Sequence, residues 1–256
     1  GFDGGPIRNF VYVVRDYVVD WINALPSDTE TKREAIRRVR SISVQVGGGE
    51  MVPDCSMCNQ TELDPYACTI ERWEAVINLA GQPQKPVWAM AASEANAYFS
   101  SDEAAIFIPA GIARPPLYHH SYPFQYNLGG LGSIIAHELG HSIDLNGGAG
   151  FISADREPFA QCVADGFLEV GQNTSRSELT INENIADTVS ALSIGPYLDR
   201  TGFAAFGQIW CKLHPSDPVA KDPHSAAKLR VNAAAAMSPH FSQTFGCPPP
   251  DQVCAL

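Results

Sequence analysis

The 256-residue sequence predicts an α+β fold, mainly helical with a small antiparallel sheet. Two observations carry this reading. Apolar residues recur at helical spacing near the start and through most of the chain after Gly129. Between these regions, Ala95 to Phe99 and Ala104 to Ile108 flank the polar turn Ser100-Ser101-Asp102-Glu103, as in a β-hairpin. With 45% hydrophobic and 18% charged residues, the chain can bury a sizeable core.

Taken in order, Ile7, Phe10, Val11, Val14, Tyr17, Val18 and Trp21 fall on one helical face. The opposite face lacks the Lys/Arg enrichment of a membrane-surface helix, so the stripe is read as core-facing. Ser27 and Glu30 have capping-box spacing and open a second helix through about Ile42. Its cluster Lys32, Arg33, Arg37, Arg38 and Arg40 is read as a solvated face. A loop from Gly47 to Pro65 contains Cys55 and Cys58, with Cys68 following; no fourth ligand stands close by, so a disulfide-tied loop is preferred to a zinc knuckle. A short helix around Glu71 to Ala80 and a proline-containing connection, Gln82 to Pro86, lead into the hairpin. Further helices are expected over Leu128–Asp144, Glu157–Val170, Thr180–Leu198, Phe203–Lys212 and Ser238–Phe245.

The balance of 17 Lys and Arg against 28 Asp and Glu, a formal charge of −11, argues against nucleic-acid binding and against binding to anionic membranes. No membrane span is expected, because the most apolar early stretch, Phe10 to Ile22, is interrupted by Arg15, Asp16 and Asp20. The first residues, Gly1 to Pro6, carry neither an initiator Met nor a signal segment, which reads as a mature or processed piece. Seven cysteines, an odd number, and two N-x-[ST] triplets, at Asn59 and Asn173, favour an oxidising, extracellular compartment.

The strongest chemical signal is His137-Glu138-Leu139-Gly140-His141, inside the apolar run Leu131 to Ile143. A helix places residues four apart on one face, so both imidazoles can reach one Zn²⁺ while Glu138 lies beside the water the metal carries. A third histidine six residues further on would continue the metzincin pattern, but position 144 is Asp and position 147 is Gly. The other arrangement takes a Glu from a second helix. Glu183-Asn184-Ile185-Ala186-Asp187 supplies one, with Asp187 a turn further along the same face. A competing reading makes Thr180 and Glu183 a capping box.

These motifs occur alongside others in a fixed order: Asn96-Ala97-Tyr98, Ile108-Pro109-Ala110-Gly111-Ile112 with Pro115-Pro116, Asn127-Leu128-Gly129-Gly130-Leu131-Gly132, Asp222-Pro223-His224-Ser225 with Arg230-Val231-Asn232, and Phe245-Gly246-Cys247. In this order the chain resembles the catalytic portion of the neprilysin family of zinc endopeptidases, which includes the endothelin-converting enzymes. The resemblance implies a zincin of the thermolysin-like, gluzincin type with one catalytic Zn²⁺. Residues 95–256 would form the peptidase domain, and 1–94 a helical segment left from the lid and linker region.

By the same resemblance, His137, His141 and Glu183 hold the zinc, and Glu138 is general base and then general acid. Asp144 and Asp187 orient the two imidazoles, and His224 donates to the tetrahedral oxyanion. Asn96 and the Ala97 backbone hold the peptide as an added strand, and Arg230 binds a substrate carbonyl. Leu117, Tyr118, Ile134, Ile209 and Trp210 would line the pocket for the residue after the cut and keep it apolar, implying cleavage on the amino side of hydrophobic residues. Trp210 as plain core is the alternative there. His119 and His120 are read as loop residues, and His214 and His240 as structural or exposed.

Three departures stand out: a short stretch between His141 and Glu183, Ala226 in place of proline, and Leu229 in place of an aromatic residue before Arg230. They put pocket shape in doubt but not the zinc chemistry. The family pairs the cysteines at positions 162 and 254, and pairs those at 211 and 247 with an N-terminal part. A disulfide-linked missing half or second chain is therefore implied, held through Cys211 and Cys247. A catalytically silent glycoprotein retaining the scaffold is the alternative to an enzyme.

Overall fold

The computed structural model describes residues 3–48, 88–146, 153–211, 221–251 and 253–254. The loop with Cys55, Cys58 and Cys68, the sequon at Asn59, the helix expected over 71–80 and His214 lie outside these residues.

Helix α1, Gly5–Ala24, starts with Pro6 in its first turn and buries Ile7, Phe10, Val11, Val14, Val18, Val19 and Ile22. Helix α2, Thr29–Ser41, begins one residue later than its capping box suggests. Asp28, not Ser27, is the cap, and its carboxylate accepts the backbone N–H of Glu30 and Thr31. The basic cluster is partly paired along the helix: Arg33 with Glu30, and Arg37 and Arg38 with Glu34.

The sheet differs from the expected antiparallel hairpin. Strands β2, Tyr98–Ser100, and β3, Ala105–Pro109, do pair antiparallel, with Tyr98 opposite Phe107. A third strand, β1, Ser43–Gly47, adds parallel to β3 with Val44 opposite Ile106, giving a mixed sheet in the order β1-β3-β2. The central β3 is wholly buried, which is why Ile106, Phe107 and Ile108 read as a continuous apolar run.

The helices that follow are α3, Phe124–Asn127; a π-helical segment, Leu128–Gly132; α4, Ser133–Gly140; α5, Ser153–Glu169; α6, Ser177–Ile194; α7, Arg200–Gln208; α8, Ala227–Met237; and α9, Pro239–Phe245. The glycines of the π-helical segment let backbones meet. A Cβ on Gly129 would fall 1.9 Å from the Gly202 carbonyl oxygen, and one on Gly130 would fall 2.4 Å from that of Leu117. Helix α4 lies against α6 at Gly140, where a Cβ would come within 3.1 Å of the Ala186 Cα.

Buried residues of α1 and α2 share one hydrophobic cluster with Ile135 and Leu139 of α4 and Ile185 and Val189 of α6. This core and the β1–β3 pairing both cross the division expected at residue 95. A disulfide joins Cys162 of α5 to Cys254, while Cys211 and Cys247 are exposed and have no disulfide partner among the described residues. No described helix is long and apolar enough to cross a membrane.

Candidate active site

Helix α4 is the floor on which the site is built. His137 lies in its last turn and His141 caps its C-terminus, still in helical geometry, its N–H donating to the His137 carbonyl at 3.2 Å. The two Nε2 atoms consequently converge to 3.1 Å. From α6, Glu183 brings Oε2 to 3.2 Å from His137 Nε2 and 3.5 Å from His141 Nε2. The capping-box alternative for Glu183 does not hold: Thr180 is buried inside α6 and its hydroxyl donates to the Arg176 carbonyl.

Each imidazole is fixed from behind. His137 Nδ1 meets Asp187 Oδ1 at 2.8 Å, and His141 Nδ1 meets Asp144 Oδ2 at 2.8 Å. With a proton on each Nδ1, both Nε2 lone pairs point at one another and at a carboxylate oxygen, an arrangement that is repulsive without positive charge between them. Protons can supply it: burial opposes the charge, yet Asp144 and Glu183 pull the His141 ring up to about 10. Burial would likewise raise the Glu183 carboxyl, and the surrounding imidazoles hold it far below the usual carboxylate range.

A cation fits better. Glu183 Oε2 is buried, and none of the nearby ring nitrogens reaches it with hydrogen-bond geometry. In addition, a tetrahedral zinc with bonds of about 2.0–2.1 Å separates its ligand atoms by about 3.3 Å, against 3.1, 3.2 and 3.5 Å here. Among the described residues these three form the group suited to a metal.

Around them lies a cleft of about 530 Å³. Glu138, 6% exposed, lines it beside the two histidines. His224 reaches in from the loop before α8, its Nε2 3.2 Å from Glu183 Oε2 and its Nδ1 2.7 Å from Asp222 Oδ1. Glu183 is the main reason that this ring titrates above its ordinary value. Arg230, on α8, grips Asp187 with Nε and Nη2, both at 2.6 Å, and its guanidinium lies 3.8 Å above the Trp210 ring. Burial works against the Asp187 charge, and the guanidinium overcomes it, so this carboxyl stays below its ordinary value.

Asn96 and Ala97 line the cleft just before the edge strand β2, Asn96 exposed and Ala97 buried. Leu117, Ile134, Ile209 and Trp210 also line it. Tyr118 does not. It turns away to pack on Phe10, ring centres 5.8 Å apart. His119 and His120 lie against each other at a tilt outside the cleft lining, centres 4.1 Å apart, and His240 is half-buried near Gly195. Several cleft residues escaped the sequence reading, Phe206 and Asn182 among them. Phe206 stands one helical turn before Trp210 and could have been found by that spacing; Asn182 precedes Glu183 and had no pattern to mark it.

The model of peptidase family M13 matches residues 96–195 and 197–255, more than half of the chain. The chain belongs to peptidase family M13. Endothelin-converting enzyme 1 of Homo sapiens is 27% identical to this M13 chain over 65% of the chain's length, and membrane metallo-endopeptidase-like 1 of Mus musculus is 25% identical over 94%. The chain spans only 27% and 39% of these relatives' lengths. In fold it resembles the Mycobacterium tuberculosis zinc metalloprotease Zmp1 (TM-score 0.73, 20% identity, 98% of this chain and 47% of that one). PepO of Lactobacillus rhamnosis is similar too (TM-score 0.71, 23% identity, 95% and 44%). The mainly helical zincin fold expected from the motifs is therefore present, with a mixed rather than antiparallel sheet.

Proposed function

We propose that the chain is the zinc-bearing portion of an M13 endopeptidase that cleaves peptides on the amino side of hydrophobic residues. The convergence of His137, His141 and Glu183, each imidazole backed by a carboxylate, carries this reading. When bound there, a single zinc acidifies water and polarises a carbonyl.

The protein's own groups do the rest. Glu138, buried beside the ligands, takes a proton from the attacking water and later gives it to the leaving amine. His224, with Nε2 directed into the cleft and Nδ1 held by Asp222, donates to the carbonyl oxygen as it gains negative charge. Asn96 and the Ala97 backbone align the peptide along the edge of β2, and Arg230 binds a substrate carbonyl while Asp187 keeps it in place. Leu117, Ile134, Ile209 and Trp210 give the cleft its apolar wall, which favours a hydrophobic residue after the cut.

Exposed Cys211 and Cys247 suit covalent attachment to a further part of the protein or a second chain, and the exposed sequon at Asn173 suits a glycoprotein of the extracellular space. The silent-scaffold alternative has less support, since the cleft keeps Glu138 and all three donors.

The test is hydrolysis of a fluorogenic peptide library by the zinc-loaded protein. Glu138→Gln is expected to abolish cleavage while one zinc per chain is retained; undiminished turnover in that variant would refute the assignment of the base. A cleavage profile without hydrophobic enrichment after the cut would refute the specificity.

A further inference from the structure

Behind His224 lies a buried polar cluster that does not touch the cleft. Its members are Gln172, Thr180, Asn184 and Ser225, at 7%, 0%, 1% and 5% exposure. Buried amides and hydroxyls are costly unless each finds a partner, so such a cluster fixes the segments that carry it. Gln172 arrives there because helix α5 ends in a reversal. Gly171 takes φ +101°, and the N–H groups of Gly171 and Gln172 donate back to the carbonyls of Leu168 and Phe167. The Gln172 side chain is thereby turned inward.

Ser225 follows His224, and Asn184 follows Glu183. The two pairs form parallel rungs: His224 Nε2 stands 3.2 Å from Glu183 Oε2, and Ser225 Oγ stands 2.7 Å from Asn184 Oδ1. Gln172 closes the second rung. Its Oε1 lies 2.5 Å from the Ser225 hydroxyl and accepts the Asn184 amide at 3.2 Å, while its Nε2 donates to Thr180 Oγ1 at 3.0 Å. Arg176 adds a third hold, donating to the main-chain carbonyls of Asp222 and His224 at 2.6 and 3.3 Å.

We propose that Gln172 and Ser225 are positioning residues, locking the loop that carries His224 to α6 so that its Nε2 faces the carboxylate of Glu183. The inference rests on the peptidase reading for its kinetic consequence but not for its geometry. Cutting the second rung leaves the loop held by Arg176 alone, so that it can shift without altering His137, His141 or Glu183. The oxyanion contact is then lost while metal and peptide are still held.

The test uses zinc-loaded protein with Gln172→Met, Ser225→Ala and Ser225→Thr. The first two are expected to lower kcat at least tenfold with KM and zinc stoichiometry unchanged, and to weaken a peptidyl phosphonamidate, a tetrahedral anion, by a similar factor. Ser225→Thr, which keeps the hydroxyl, retains most of the activity. In a His224→Ala background Gln172→Met costs nothing more. A full additive loss in that background, or unchanged kcat and phosphonamidate affinity in the folded variants, overturns the proposal. The ring resonances of His224, followed by NMR, give an answer independent of turnover. They shift in Gln172→Met while those of His137 and His141 stay, and an unmoved His224 signal overturns the proposal even if the protein proves to cleave no peptide.

Discussion

Asp187 serves two partners with one carboxylate: Oδ1 takes both the His137 ring and an Arg230 nitrogen, and Oδ2 takes the other. At 5% and 7% exposure neither Asp187 nor Arg230 has water to fall back on. Removing one member of a buried pair leaves the other charge uncompensated, at a cost of about 3–5 kcal/mol. Arg230→Met is therefore expected to destabilise the metal-free protein by about that amount in urea unfolding; a loss below about 1 kcal/mol would place the pair among the weak surface ones. His224 is different, with 42% of its side chain exposed. His224→Ala is expected to leave unfolding nearly unchanged and to lower kcat by about 10²–10³-fold, the scale of one oxyanion donor. A fall in stability without a fall in kcat would make His224 structural.

At the scale of elements, what could be read from the sequence was what periodicity and local motif determine. His137 and His141 share a face because four residues make about one helical turn, and Glu183 and Asp187 follow the same rule. Strand β1 was invisible because its meaning lies in a parallel partner some sixty residues away, and Ser-Val-Gln-Val is too short to announce it. Helix α8 was missed because Ala233 to Ala236 run through it without an apolar stripe, although it carries Arg230. Tyr118 was misplaced because spacing cannot say that Phe10, more than a hundred residues earlier, would claim its ring.

Helix α2 yields a pH prediction. Arg37 first, and then Arg38, hold the Glu34 carboxyl down from 4.5 to about 2. A lowered carboxylate pKa contributes stability that is present above the ordinary value and is lost as pH falls from there towards about 2. Because the pair is partly solvated, the amount is that of helix-surface pairs, about 0.3–0.5 kcal/mol each. Glu34→Gln should flatten the acid limb of the stability curve between pH 5 and 2 by about 0.5–1 kcal/mol; an unchanged limb, measured by thermal melts, would show the pairs to be energetically silent.

For the whole molecule, the Cys162–Cys254 bond closes a loop of 92 residues that contains α6, α7, α8 and α9, and with them Glu183, His224 and Arg230. A cross-link of that span is worth about 2–5 kcal/mol, chiefly by restricting the unfolded chain. Cys162→Ser together with Cys254→Ser is expected to cost that much stability and to lower zinc retention on heating. A melting temperature equal to the parent's would mean that packing alone holds the C-terminal tail. Because the main core takes in α1 as well as α6, unfolding should proceed in one transition for the described elements.

The backbone contact between Gly129 and Gly202 reaches further than its size suggests. It sets how closely α7, and with it Phe206, Ile209 and Trp210, approaches the helical run that carries His137. Substitutions among those apolar residues would reshape the cleft locally, as furniture changes a room. A methyl group at Gly129, which would run into the Gly202 backbone, would move the wall itself, so the breadth of side chains the cleft admits is governed by a position that contributes no side chain at all.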